Sequence, residues 1–195
     1  TRSVLEGQWG SYEKRQVFKA SFPYFDHGYG STTWSSLKAL PAEERPRLAR
    51  LGSGMRMLSK CRLDALWTAS KMARSKIGRL DVKFKNECPL CGVEGEGETV
   101  QHIILSCSQW QVERECYLKE MLDSIVQLPS EGQLILILGG EYGGQRFSNW
   151  LPSKGDVQTS PMPSLTVEGP CGAFRVAQYL QKIAGRRQSS LRQFI

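Results

Sequence analysis

Four residues constrain this chain more tightly than any hydrophobic pattern in it: Cys88, Cys91, His102 and Cys107, spaced Cys-x2-Cys-x10-His-x4-Cys. The stretch that carries them, ECPLCGVEGEGETVQHIILSC, gathers three of the six cysteines and one of the two histidines. Two thiolates separated by two residues can grip one tetrahedral ion across a tight turn, and Pro89 and Gly92 suit such a turn. The acidic, glycine-rich VEGEGE then forms a flexible bridge to the second pair of ligands. Three thiolates and one imidazole complete a shell that suits Zn2+ far better than magnesium or calcium. A shell filled by four protein ligands has no position left for water or substrate, so the ion would serve architecture. The opposing reading is four unrelated buried side chains. Cys116 could take the place of Cys107, whereas Cys61 and Cys171 read as core thiols.

The second pair adds a geometric condition. His102 and Cys107 are five residues apart, about 140° around an ideal helix, so a helix here must begin near His102 or break before Cys107. Thr99 is placed to cap its start. A catalytic zinc site would need an open position and a general base. Glu98 precedes His102 by four residues, but neither the HExxH pattern nor the HxE with PCxxC pattern is present. His27 beside Asp26 reads as incidental, and the carboxylates Asp123, Glu131, Glu141 and Asp156 are too scattered for a two-metal nuclease.

Around this centre, charge is unevenly placed. The whole chain of 195 residues carries a formal +7. Residues 45–85 alone hold twelve basic side chains against Asp64 and Asp81, a net of ten positive charges. Such a concentration points to a polyanionic partner rather than to a fold. The candidate nucleic-acid contacts are Arg47, Arg50, Arg56, Lys60, Arg62, Lys71, Arg74, Lys76 and Arg79. With 40% hydrophobic residues, a core of ordinary size is within reach without disulfide staples. Six cysteines are too sparse for a disulfide scaffold and imply an intracellular reducing compartment. No apolar run approaches the length of a membrane span, and the opening residues lack a secretory core. The chain does not begin with Met, so it is either processed or cut from something longer.

The expected fold class is mainly α, a small helical domain built around a structural CCHC zinc site, with an irregular N-terminal arm. Residues 1–40 form that arm; its aromatics Trp9, Tyr12, Phe22, Tyr24, Phe25 and Trp34 could pack against a partner or stack on unpaired bases. Residues 41–150 hold the basic helices and the zinc nodule. A short helix after Pro41 should end at Gly52 to Gly54. A second, over 57–76, places Leu58, Cys61, Ala65, Ala69, Met72 and Ala73 on one face and Lys60, Arg62, Lys71 and Arg74 on others. A third carries Trp110, Tyr117, Met121 and Ile125 and ends before Pro129. Residues 134–138 fit a helix or a short buried strand equally well. Residues 151–170, rich in Pro, Ser and Gly, read as a loop. Residues 171–195 are a basic helix burying Val176, Tyr179, Leu180 and Ile183 and exposing Lys182, Arg186 and Arg187.

RLARLGSG at 47–54, CPLCG, ETVQHIILSC and Arg114 together resemble the zinc-binding region that follows the polymerase in non-LTR retrotransposon reverse transcriptases. LILILGG and VAQYLQKIAGRRQ are similar to the tail that often accompanies it, so the resemblance covers about residues 45–187. It implies Cys88, Cys91, His102 and Cys107 as zinc ligands and places Arg47 and Arg50 in the family's basic motif. Met55 stands where that motif carries histidine. No polymerase, ribonuclease H or endonuclease motif accompanies the site. The resemblance therefore implies the nucleic-acid-handling end of such a protein, with no catalytic part and no small-molecule substrate. The expected function is a noncatalytic RNA-binding subunit held by other proteins in a larger ribonucleoprotein, such as an organellar ribosome, in the mitochondrial matrix or nucleus. The alternatives are the C-terminal segment of an active reverse transcriptase and a zinc-stabilised protein-interaction module.

Overall fold

The computed structural model describes residues 50–75, 80–140, 142–147, 164–165 and 172–194. The arm, the helix expected after Pro41, most of the 151–170 loop, Arg47, Lys76, Arg79 and Cys171 lie outside these residues. The described chain is mainly α, as expected. It contains α1 (Gly52–Arg62), α2 (Ala69–Arg74), α3 (Gln111–Asp123), α4 (Ser130–Ile137) and α5 (Gly172–Arg192). Between α2 and α3 lie two 3-10 turns, Val82–Lys85 and Ser108–Trp110, and a π-helical turn, His102–Ser106. Two very short strands, β1 (Arg146–Phe147) and β2 (Ser164–Leu165), pair in parallel, with Arg146 opposite Ser164. Part of the segment read as a loop is therefore extended. Among the described residues no helix is long and apolar enough to cross a membrane.

The core is built on the packing of α1, α3, α4 and α5. In α5 the residues Val176, Tyr179, Leu180 and Ile183 recur every three or four positions, and all four are buried. Each such side chain contributes about 1.5–3 kcal/mol relative to exposure. Opposite them α1 buries Met57, Leu58 and Cys61. The two helices come together at Gly54, where an added Cβ would lie 1.9 Å from the carbonyl oxygen of Ala177. Gly52 and Gly54 lie in the first turn of α1, which starts five residues ahead of the expected position, and at position 54 the close approach requires a residue with no side chain.

The helix expected over 57–76 is two helices. After Arg62 the chain closes a Schellman motif. Ala65 N–H bonds to the Lys60 carbonyl at 2.8 Å and Asp64 N–H to the Cys61 carbonyl at 3.2 Å. Asp64 occupies the left-handed position with φ of +46°. Glycine usually marks this stop; an aspartate there gave no signal. Thr68 restarts the chain as the cap of α2, its hydroxyl accepting from Lys71 N–H at 3.3 Å, which satisfies one of the donors that a helix start leaves unpaired. The break turns Ala65 to solvent while Ala69, Met72 and Ala73 stay buried, in a second cluster with Leu80, Phe84 and Leu191.

Residues 134–138 resolve as helix. Leu134, Ile135, Leu136, Ile137 and Leu138 are all buried, so no alternation exists to favour a strand, and neighbours cover the C-terminal half of α4 all round. Its C-terminal end is covered by a cation from α1: Arg62 Nε donates to the Leu138 carbonyl at 2.7 Å, where the helix dipole favours positive charge. This corrects one expectation. Arg62, expected among the nucleic-acid contacts, is buried at 7% exposure. Its guanidinium is engaged within the protein.

Candidate metal centre

The N-terminal half of the site is a hairpin turn. Gly92 N–H returns to the Cys88 carbonyl at 2.8 Å and Cys88 N–H bonds to the Val93 carbonyl at 3.2 Å, while Glu87 and Glu94 pair across the base. Gly92 takes φ of +70°, which L side chains avoid and glycine adopts freely. The turn presents Cys88 and Cys91 on one side.

The other two ligands come from the turn that starts with the expected cap: Thr99 Oγ1 accepts from His102 N–H at 3.0 Å. The five-residue spacing is accommodated by widening the helix. Cys107 N–H bonds to the His102 carbonyl at 2.7 Å. This closure over five residues instead of four brings the fifth residue back above the first. At Cys107 the backbone leaves helical geometry, with φ of −57° and ψ of 116°. Arg114 of α3 holds this end, Nε donating to the Ile104 carbonyl at 3.0 Å and Nη2 to that of Cys107. Tyr179 of α5 donates its buried hydroxyl to the Ile103 carbonyl.

As a result the ligand atoms of Cys88, Cys91, His102 and Cys107 all lie within 4.8 Å of one another, a group that could hold a metal ion. Cys91 Sγ and His102 Nε2 are 3.3 Å apart. Metal–ligand distances of about 2.0–2.3 Å around one centre give ligand separations of that order. Nε2 is the nitrogen free to ligate, because Nδ1 faces Glu96 Oε2 at 2.9 Å and Ser106 Oγ at 3.1 Å. A carboxylate on the far nitrogen fixes the ring's orientation and raises its basicity, the arrangement typical of metal-bound histidine. Cys88, His102 and Cys107 are buried and Cys91 is half-buried. Cys116 is exposed on α3 and outside the group, which selects Cys107 over it.

Hydrogen bonds within the set couple the protonation of its members. The Cys107 thiol, donating to Cys88, pulls the Cys88 thiol down to about 4. Cys107 is pushed up in return, by that same bond and by burial. The Cys88 thiolate, against the effect of burial, raises His102 to about 9. The bond from His102 also holds the Glu96 carboxyl below the usual range. Three thiolates and a neutral imidazole held this closely would repel one another, and a bound cation would offset that charge.

Glu98, which the motif patterns exclude as a catalytic base, has a structural position that its local sequence did not reveal. It is fully buried, and Arg187 of α5 donates to both its oxygens, Nε to Oε1 at 2.7 Å and Nη2 to Oε2 at 2.8 Å. Ala69 N–H adds a third bond at 2.6 Å. Arg187, expected on the exposed basic face of the last helix, is therefore buried, and it ties α5 and the start of α2 to the approach to His102. Its partner lies 89 positions away, beyond any local pattern. Glu96 had a weak signal as an acid upstream of a ligand histidine.

The candidate nucleic-acid residues divide by environment. Arg50, Arg56, Lys60 and Arg74 are exposed; Lys71 is half-buried and ion-paired to Asp64. A polar cleft of about 340 Å³ beside the metal centre is lined in part by Arg74, Lys85, Gln101 and His102. The chain matches no family model, no curated protein and no solved structure.

Proposed function

We propose that the chain is a noncatalytic, zinc-stabilised RNA-binding protein working as a subunit of a larger ribonucleoprotein. The observation that carries this reading is the pairing of a closed Cys3His group with a basic surface just ahead of it. Arg50, Arg56, Lys60 and Arg74 face solvent on or beside α1 and α2. Zn2+ is the ion assigned, because three thiolates and one imidazole form a soft tetrahedral set. With four ligands supplied by protein, the ion would lock the Cys88–Cys91 turn and the π-helical turn against α3 and α5 and so fix the angle of the basic helices. Phosphate contacts from those helices would supply affinity that falls with salt.

A second reading, the nucleic-acid-binding segment of a reverse transcriptase, draws on Arg114. This residue belongs to the sequence resemblance, and it fastens the carbonyls at the end of the π-helical turn.

The test has two parts. Native mass spectrometry should find one zinc per chain, and Cys88→Ser should remove both the zinc and the folded state. No zinc, or an unchanged fold in the variant, rejects the structural ion. Binding to a structured RNA, followed by fluorescence anisotropy, should weaken steeply from about 50 to about 200 mM salt. Combined reversal of Arg56, Lys60 and Arg74 to Glu should abolish it. A flat salt response, or unimpaired binding by the reversed variant, rejects the RNA reading.

A further inference from the structure

Trp67 is the most exposed aromatic side chain among the described residues, at 54%. Leaving an indole in water forgoes one of the largest apolar burials a side chain offers. Its position does not result from a loose loop. The Trp67 carbonyl accepts from Arg187 Nη2 at 2.8 Å, and that guanidinium is itself anchored on buried Glu98. On one side Thr68 caps α2; on the other the Schellman closure and the bond from Lys71 Nζ to the Asp64 carbonyl, 2.6 Å, hold the linker.

The stretch of chain that carries this ring is basic. Residues 50–75 contain Arg50, Arg56, Lys60, Arg62, Lys71 and Arg74 against the single acid Asp64, which Lys71 pairs. An exposed aromatic face on a segment whose other exposed side chains include Arg56, Lys60 and Arg74 suits a ligand that carries both a flat ring and a phosphate. An apolar peptide would seek a groove and an acidic one would gain little from the ring. A paired base inside a duplex hides its faces, so the ring must be unpaired.

Resting on the nucleic-acid reading above, we propose that Trp67 is a stacking platform for an unpaired base of a single-stranded nucleic acid, with the exposed cations of α1 and α2 contacting the flanking phosphates. Stacking on an aromatic tolerates any base, so the surface would select single strands over duplexes without reading sequence.

The test uses the full chain and three labelled probes: a 12-nucleotide single-stranded RNA, its DNA counterpart and the matching RNA duplex. Trp67→Ala should weaken single-strand binding roughly tenfold or more. It should leave duplex affinity and the salt slope unchanged, and Trp67→Phe should restore most of the loss. Unchanged single-strand affinity in Trp67→Ala, or an equal loss on the duplex, overturns the assignment while leaving RNA binding intact. If the wild-type chain binds the structured RNA but neither single strand, the assignment falls alone; if it binds none of these, the broader function falls with it.

Discussion

Replacing Glu98 by Gln keeps the side chain's shape and removes one charge at a fully buried position. The wild-type carboxylate accepts three bonds, from Arg187 Nε, Arg187 Nη2 and Ala69 N–H. Both oxygens face donors, so the amide NH2 of Gln opposes a donor in either orientation. The Arg187 guanidinium, itself buried, is then left with an uncompensated charge. Breaking a buried pair from one side costs about 3–5 kcal/mol. That is a large part of the roughly 5–15 kcal/mol available to a domain. At about 2–4 °C per kcal/mol for a chain of this size, Tm should fall by roughly 6–20 °C. The assay is thermal or urea unfolding at a fixed, saturating zinc concentration, so that metal linkage is equal in every variant. The double variant Glu98→Leu with Arg187→Leu should recover much of the loss, since removing both charges ends the desolvation problem. A loss below about 1 kcal/mol in Glu98→Gln, or strictly additive singles, would refute the claim that this pair ties the segment of the Cys3His group to α5.

Two further substitutions or treatments follow from the geometry. Gly54→Ala gains about 1 kcal/mol of helix propensity, but it sets a Cβ 1.9 Å from the Ala177 carbonyl, so α1 and α5 must separate. Overpacking of this kind costs about 1–3 kcal/mol or more, and a lowered Tm is expected; an unchanged or raised Tm rejects the close contact. Thiol labelling at neutral pH should modify exposed Cys116 quickly and leave Cys61 untouched, read by peptide mass spectrometry. Burial pushes the Cys61 thiol from 9.0 up to about 12. The fold therefore favours the protonated form. This contribution to stability is fully present below pH 9.0 and is lost as pH rises toward about 12. Rapid labelling of Cys61 in the folded chain would contradict its place in the core.

What the sequence determined by itself was local. The grouping of Cys88, Cys91, His102 and Cys107, the Thr99 cap, the apolar stripe of α5 and the predominance of helix all follow from residues near one another in the chain, where spacing and side-chain type govern geometry. The five-residue gap between His102 and Cys107 required a helix there to begin near His102 or break before Cys107, although the widened π-helical turn became visible only in three dimensions.

The tertiary structure decided the rest, because burial and pairing depend on residues far apart in the chain. Arg62 and Arg187 looked like members of a basic face. Both are buried, one on the carbonyl of Leu138 and the other on Glu98, contacts 76 and 89 positions distant. The same Arg187 holds the backbone at Trp67, a residue with no distinguishing pattern around it. Residues 134–138 could not declare themselves helix or strand while every side chain in the run was apolar; the surrounding helices made that choice. A long basic helix became two because Asp64 accepts the left-handed conformation with which a Schellman motif ends α1, leaving between α1 and α2 the linker on which the indole stands.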